Sequence, residues 1–225
     1  MSAICIAGKS GTGKSTSYGE IPELSIKGLP PKKTVVINVA SNDLPFKGWK
    51  NKYKGKLQEG GNYLDTSNAA TITKAINYIT QQRDDIENIV IDDAQYIMAF
   101  EFMSRAKEKS YDKFTDLGVN ITNVVSAARK SNKKVFFLWH PEVDESTGYK
   151  LKTAGKMVDN YLTLEGLFST LLYTDVYKEN DIFNYRFVTN HDDRYPAKSP
   201  IGMFDLYIPN DLGYVSQKID EYNNS

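Results

Sequence analysis

The stretch Ala3-Ile4-Cys5-Ile6-Ala7-Gly8-Lys9-Ser10-Gly11-Thr12-Gly13-Lys14-Ser15-Thr16 decides the fold. Its first five residues are continuously apolar, too few for a helix and stopped by a glycine, which reads as a buried strand. From Gly8 to Ser15 the chain matches G-x-x-x-x-G-K-[ST] at every fixed position. A chance match would occur in roughly 1 in 100 chains of this length. Three glycines let the backbone wrap an anion and take positive φ. The loop amides, with the N-terminus of a helix expected to follow, then face phosphate groups. Lys14, expected to be exposed in the empty loop, supplies a point charge between the β and γ phosphates. Ser15 offers a hydroxyl to Mg²⁺, and Thr16 sits near the α phosphate. The residues Gly8, Lys9, Ser10, Gly11, Thr12, Gly13, Lys14, Ser15 and Thr16 are thus the candidate ATP contacts.

The rest of the chain suits such a loop. With 225 residues it is long enough for one α/β domain and short for two. Lys+Arg and Asp+Glu both number 28, so any basic surface must be local. A single cysteine and two histidines are too few for a cysteine zinc cluster or a disulfide framework. No apolar run approaches a membrane span, and the N-terminus lacks a signal peptide's basic flank. A cytoplasmic location and no membrane partner are expected.

Further strands are expected at Thr34–Val39, Ile89–Ile91, Val135–Trp139 and Leu171–Val176, continuous apolar runs suited to a parallel sheet covered on both faces. Helices are expected around Ile72, Ala75, Ile76 and Ile79, and around Ile121, Val124, Val125 and Ala128, with a weaker one over Asp159–Ser169. Alternating strands and helices predict an α/β domain with a mostly parallel sheet flanked by helices. A core over about 1–178 is followed by a C-terminal extension over about 179–225. In it, Tyr185–Thr189 pairs back across the Glu179-Asn180-Asp181 turn, Tyr207–Pro209 is a short strand and Asp211–Tyr222 a closing helix.

Asp92 ends the Ile89-Val90-Ile91 strand at the sheet edge where α/β proteins bind ligands, and is the candidate acid of the Mg²⁺ shell beside Ser15. Asp93 is either a catalytic carboxylate or a cap on the next helix. His140 ends the fourth strand at the same edge and is the candidate γ-phosphate sensor. Lys14, Asp92, Asp93 and His140 form the candidate catalytic set. Fifteen tyrosines are scattered along the chain and read as core-edge and interface residues.

Four features together resemble one group. They are the Gly8–Ser15 loop, the Ile89–Asp93 strand, the Val135–His140 strand followed by Lys152-Thr153-Ala154-Gly155-Lys156, and Asp192-Asp193-Arg194-Tyr195-Pro196-Ala197-Lys198-Ser199-Pro200. The pattern is similar to the short phage-encoded RecA-like and AAA-like ATPases of the phage nucleotide-binding protein group, which includes single-strand-annealing ATPases. That resemblance implies a single RecA-like domain, ATP turnover and homo-oligomers, ring or filament, with nucleotide between subunits. It also implies a role in phage DNA recombination, annealing or replication, in the bacterial host cytoplasm and with a phage single-strand-binding protein as a possible partner. RecA-like enzymes place a glutamate after the second strand, whereas here Asn38-Val39-Ala40-Ser41-Asn42-Asp43 contains none. Asp43 or Asp93 would have to substitute, and slow hydrolysis follows. Lys198, or its competitor Arg194, is a candidate trans-acting finger onto a neighbouring subunit's γ phosphate.

Two basic stretches are candidates for single-stranded DNA. One runs from Phe46 to Lys56 and holds Lys47, Trp49, Lys50, Lys52, Tyr53, Lys54 and Lys56 without an acid. The other, Tyr149–Lys156, holds Lys150, Lys152 and Lys156. Lysines that track phosphates, interleaved with rings that stack on bases, suit sequence-independent binding. Two other readings stay open: an ATP-binding assembly or regulatory protein with little hydrolysis and no DNA, and a small-molecule or nucleotide kinase, disfavoured by the absence of an arginine-rich lid.

Overall fold

The computed structural model describes residues 3–110, 112–144, 148–160 and 162–224, with the side chains of residues 156 and 157 outside that description. Among the described residues ten strands form: β1 (Ala3–Ala7), β2 (Thr34–Asn38), β3 (Tyr63–Asp65), β4 (Asn88–Asp92), β5 (Lys134–Trp139), β6 (Pro141–Asp144), β7 (Gly148–Leu151), β8 (Thr170–Glu179), β9 (Ile182–Val188) and β10 (Tyr207–Pro209). The helices are α1 (Trp49–Lys52), α2 (Ala69–Gln82), α3 (Gln95–Ser104), α4 (Asp112–Lys130), α5 (Lys156–Asp159) and α6 (Leu212–Asn223).

Eight strands make one sheet in the order β10-β9-β8-β1-β5-β4-β2-β3. From β8 to β3 every pairing is parallel, while β9 and β10 are antiparallel additions. This is the expected α/β architecture of a mostly parallel sheet flanked by helices. Residues 179 onward are built into it, since β9 and β10 extend the sheet and α6 covers one face.

Alternation along the strands separates the two faces. Ala3, Cys5 and Ala7 join Val35, Ile37, Ile89 and Ile91 beneath α2 and α4, where Ile72, Ile76, Ile121 and Val125 pack. Ile4 and Ile6 join Val36, Val90, Phe136 and Leu138 on the opposite face, under Leu212, Val215 and Ile219 of α6. Asn68 caps α2 and Asp211 caps α6, each side chain accepting a backbone N–H of the first turn.

Three departures have physical reasons. Among the described residues of 159–169 no long helix forms; α5 ends at Asp159 and a 3-10 turn stands at Leu164–Leu167. Gly166 weakens that helix, and the Glu165 carboxylate accepts the Leu151 N–H at 2.5 Å. α3 escaped notice because its apolar residues lie on several sides, with Ile97 and Met98 buried but Phe100 and Met103 exposed. The third, the missing helix after Ser15, belongs to the site.

Candidate phosphate-binding site

The loop leaves β1 at Gly8, whose N–H donates to the Trp139 carbonyl at 3.0 Å. A Cβ on Gly8 would stand 1.9 Å from Thr174 Oγ1, so any side chain there would have to displace Thr174. Gly11 and Gly13 take φ of +76° and +94°, which lets the loop curl. Thr12 Oγ1 donates to the Lys9 carbonyl at 2.7 Å, and Thr16 Oγ1 to the Gly13 carbonyl at 2.9 Å. Ser10 lines the cleft, and the Lys9 ammonium lies over the Tyr149 ring at 5.5 Å.

Lys14 is not exposed. It is 6% accessible, and its ammonium donates to the Gly8 and Lys9 carbonyls at 2.8 and 3.1 Å. A buried ammonium must find acceptors, and the curled loop supplies its own. Burial lowers its pKa, an effect opposed by the nearby Asp93 and Asp92 carboxylates.

The helix expected after Ser15 is a single 3-10 turn, Thr16–Tyr18, ending at an extended Gly19. Phe46 occupies the space a Cβ on Gly19 would need, and the backbone of Gly28 crosses close to the Gly19 carbonyl. These close approaches turn the chain away, and α6 covers the vacated sheet face. The anion site therefore rests on loop amides rather than on a long helix dipole.

β5 lies between β1 and β4, which brings Asp92 to the loop. Its Oδ1 accepts from Ser15 Oγ at 2.9 Å and its Oδ2 from the Tyr18 hydroxyl at 2.8 Å. Burial, with Asp93 beside it, pushes the Asp92 pKa up to about 6 against the opposing hydrogen bonds. Asp93 takes φ of +61°, a conformation costly for a non-glycine residue. That twist turns its carboxylate to His140, with Oδ1 3.3 Å from Nε2. Gln95 braces the pair, accepting the His140 N–H at 3.2 Å and reaching Asp93 at 3.5 Å. Burial would raise the Asp93 pKa, but His140, then Gln95 and Lys14, outweigh it and lower it. α3 begins without a side-chain cap, so Asp93 is not the helix cap.

Gly11, Gly13, Lys14, Ser15, Asp92, Asp93 and His140 line one cleft of about 810 Å³. Leu24, Phe183, Tyr185 and Asn210 line it as well, none of them anticipated. Asp43 also lines it, paired with Lys50 at 3.4 Å. Among the described residues no group of three or more His, Cys, Asp or Glu could hold a metal. A hydroxyl and one carboxylate, 2.9 Å apart, nevertheless suit Mg²⁺, which binds through few protein oxygens and completes its shell with water and substrate phosphates.

No known protein family matches the chain, and no curated protein is detectably similar to it. Among solved structures it resembles the KaiC-like protein PH0186 of the hyperthermophilic archaeon Pyrococcus horikoshii OT3. The two share 10% identity and a TM-score of 0.49 over 88% of this chain and 83% of that one. That likeness is one of overall shape and transfers no residue's role. Among the described residues no helix is long and apolar enough to cross a membrane.

The remaining candidates lie apart from the loop. Arg194 is bound in its own chain to the buried Asp175, at 3.0 and 3.1 Å, alongside Arg186 at 2.8 Å. Lys198 pairs its backbone with Leu171 at the start of β8. The stretch around Trp49 contains no acid, yet the fold brings acids to it. Lys47 meets Glu23 at 4.0 Å, Lys52 meets Glu20 at 2.9 Å and Lys56 meets Glu59 at 3.5 Å. Trp49 is half-buried against Tyr63 at 5.6 Å. Tyr53 is 2% accessible, packed against Tyr18 and Phe46, and is closed to base stacking. Lys54 and Lys152 are exposed. Lys150 is held between Asp159 at 2.9 Å and Glu142 at 3.1 Å, and Lys156 has its side chain outside the description.

Proposed function

We propose that this chain is a Mg²⁺-dependent, RecA-like ATPase that binds ATP in the Gly8–Thr16 loop and turns it over slowly. One observation carries the reading: Ser15 Oγ lies 2.9 Å from Asp92 Oδ1, bringing the loop and the acid strand together at the sheet's carboxyl edge. Lys14 would exchange the Gly8 and Lys9 carbonyls for phosphate oxygens, and the loop amides would hold the phosphate chain. Ser15 and Asp92 would hold Mg²⁺, which when bound neutralises charge developing on the phosphates. Asp93 takes the proton from the attacking water, and His140 orients that carboxylate and meets the γ phosphate. A carboxylate whose pKa is held low is a weak base, so turnover is slow.

In the finer form of this reading the partner is single-stranded DNA. It is approached by the β6–β7 ribbon, which is fastened to the site through the Lys152 N–H on the His140 carbonyl at 3.0 Å. The subunits would form a ring or filament, with Lys198 reaching a neighbour's γ phosphate, in a phage recombination or annealing role. A second reading, a nucleotide-dependent assembly or regulatory protein without DNA, draws support from the pairing of Lys47, Lys50, Lys52, Lys56 and Lys150 with acids. ATPase rates with and without single-stranded DNA, alongside an acceptor-phosphorylation assay, separate these from each other and from a kinase. DNA-stimulated phosphate release supports the first. ATP binding with neither release nor DNA effect supports the second. Failure to bind ATP in the presence of Mg²⁺ overturns both.

A further inference from the structure

Tyr18 touches the one carboxylate that the proposed metal shell depends on. It closes the 3-10 turn after the loop, is fully buried, and its hydroxyl donates to Asp92 Oδ2 at 2.8 Å. Ser15 donates to the other oxygen, Oδ1, at 2.9 Å. The two donors stand three residues apart. In a 3-10 turn, side chains at i and i+3 eclipse each other, which puts both donors on one side of the turn. From that side Ser15 and Tyr18 take one oxygen each of the same carboxylate.

The ring cannot swing away. Phe46 meets it edge-on at 5.4 Å and 88°, and Tyr53 at 6.3 Å and 78°. Two other tyrosine hydroxyls, those of Tyr53 and Tyr173, are buried with no hydrogen-bond partner among the described residues. Burial of a ring thus does not by itself bring its hydroxyl to a partner here, and the contact to Asp92 is a placement rather than a by-product of packing.

We infer that Tyr18 is a positioning residue for the divalent cation: its hydroxyl fixes Asp92 by Oδ2 and leaves Oδ1, the oxygen shared with Ser15, to receive the metal. The inference rests on the reading of this site as a Mg²⁺–nucleotide site. Outer partners of a ligating carboxylate set its orientation, and their loss costs metal affinity by about 10- to 100-fold. Tyr18→Phe keeps the ring and removes only the donor. Tyr53→Phe removes a hydroxyl from the same aromatic cluster without touching Asp92, and serves as the control.

The experiment measures Mn²⁺ binding in the presence of ADP by electron paramagnetic resonance, ADP binding in EDTA, and thermal melting of each variant. Tyr18→Phe is expected to stay folded, to keep metal-free ADP affinity and to weaken Mn²⁺ binding by about tenfold or more, with Tyr53→Phe like wild type. Unchanged Mn²⁺ binding by folded Tyr18→Phe overturns the inference and leaves the nucleotide site standing. So does an equal loss of ADP affinity in EDTA, or a Tyr18→Phe chain that fails to fold while Tyr53→Phe folds, because each assigns the hydroxyl to structure. Wild-type protein that binds neither ADP nor Mn²⁺ with ADP overturns the site reading and the inference together.

Discussion

Asp93 and His140 face each other across the sheet's carboxyl edge, with Oδ1 3.3 Å from Nε2, although they stand 47 positions apart in the chain. The contact exists because β4 and β5 are neighbours and because Asp93 accepts a positive φ to make the turn. It sets a carboxylate beside an imidazole in the cleft that the loop also lines.

Asp93→Asn should therefore lower ATP turnover by about 100-fold or more while leaving nucleotide affinity unchanged. His140→Gln should lower turnover and also weaken any response of DNA binding to ATP. Steady-state phosphate release and calorimetric ATP binding check both. Wild-type turnover in Asp93→Asn removes it from the chemistry.

Lys14→Ala should weaken ATP binding by about 100-fold, the scale of a lost charged hydrogen bond. The fold should survive, because the substitution also removes an ammonium from a site where burial disfavours its charge. A folded Lys14→Ala protein with unaltered binding would sink the loop assignment.

For Asp92 the sign of the pH effect follows from its raised pKa. The unfolded chain titrates this group near 3.9, the folded one at about 6, so folding favours the protonated form. The stability it contributes is full below about pH 4 and is lost as pH rises through about 6. Asp92→Asn should stabilise the nucleotide-free protein at pH 8, by about 3 kcal/mol at most, and leave its stability unchanged near pH 4. The same variant should lose Mg²⁺-dependent hydrolysis more than nucleotide binding. Melting curves across that pH range and Mg²⁺ titrations of activity provide the comparison.

Gly8→Ala should abolish ATP binding, since its new methyl would overlap Thr174 Oγ1 at 1.9 Å and Thr12 Oγ1 at 2.7 Å. Gly148→Ala, in open space on the β6–β7 ribbon but at φ +77°, should cost only about 1 kcal/mol of stability and spare ATP binding. Equal effects would mean that the loop's close packing is irrelevant to binding.

If single-stranded DNA is the partner, affinity should fall with salt at a slope of about −0.7 per phosphate contact. Lys152→Gln should flatten that slope more than Lys150→Gln, because Lys150 is already held by Glu142 and Asp159. Filter binding from low to high salt with ATP and Mg²⁺ tests this. No binding even at low salt favours the assembly or regulatory reading.

The sequence by itself determined the loop, its preceding strand, the acid strand and the order of buried elements. Those signals are local: a spacing of glycines, a run of apolar residues, a carboxylate at a strand's end. Even the β8–β9 hairpin was legible, because Asn180 and Asp181 tolerate the positive φ that a tight turn needs. Only the tertiary structure decided what each polar group meets. Lys14 is buried because the loop curls back on its own carbonyls. Tyr53 is buried because Tyr18 and Phe46 pack against it, and Lys52 and Lys47 are paired because Glu20 and Glu23 come to them from an earlier segment. The helix after Ser15 gave way to one turn because the backbones of Gly19 and Gly28 cross in close contact. That turn set Tyr18 on Asp92, a contact between residues 74 positions apart. Periodicity and motif spacing report what neighbours along the chain do; burial, ion pairing and the partner of a buried hydroxyl depend on neighbours in space.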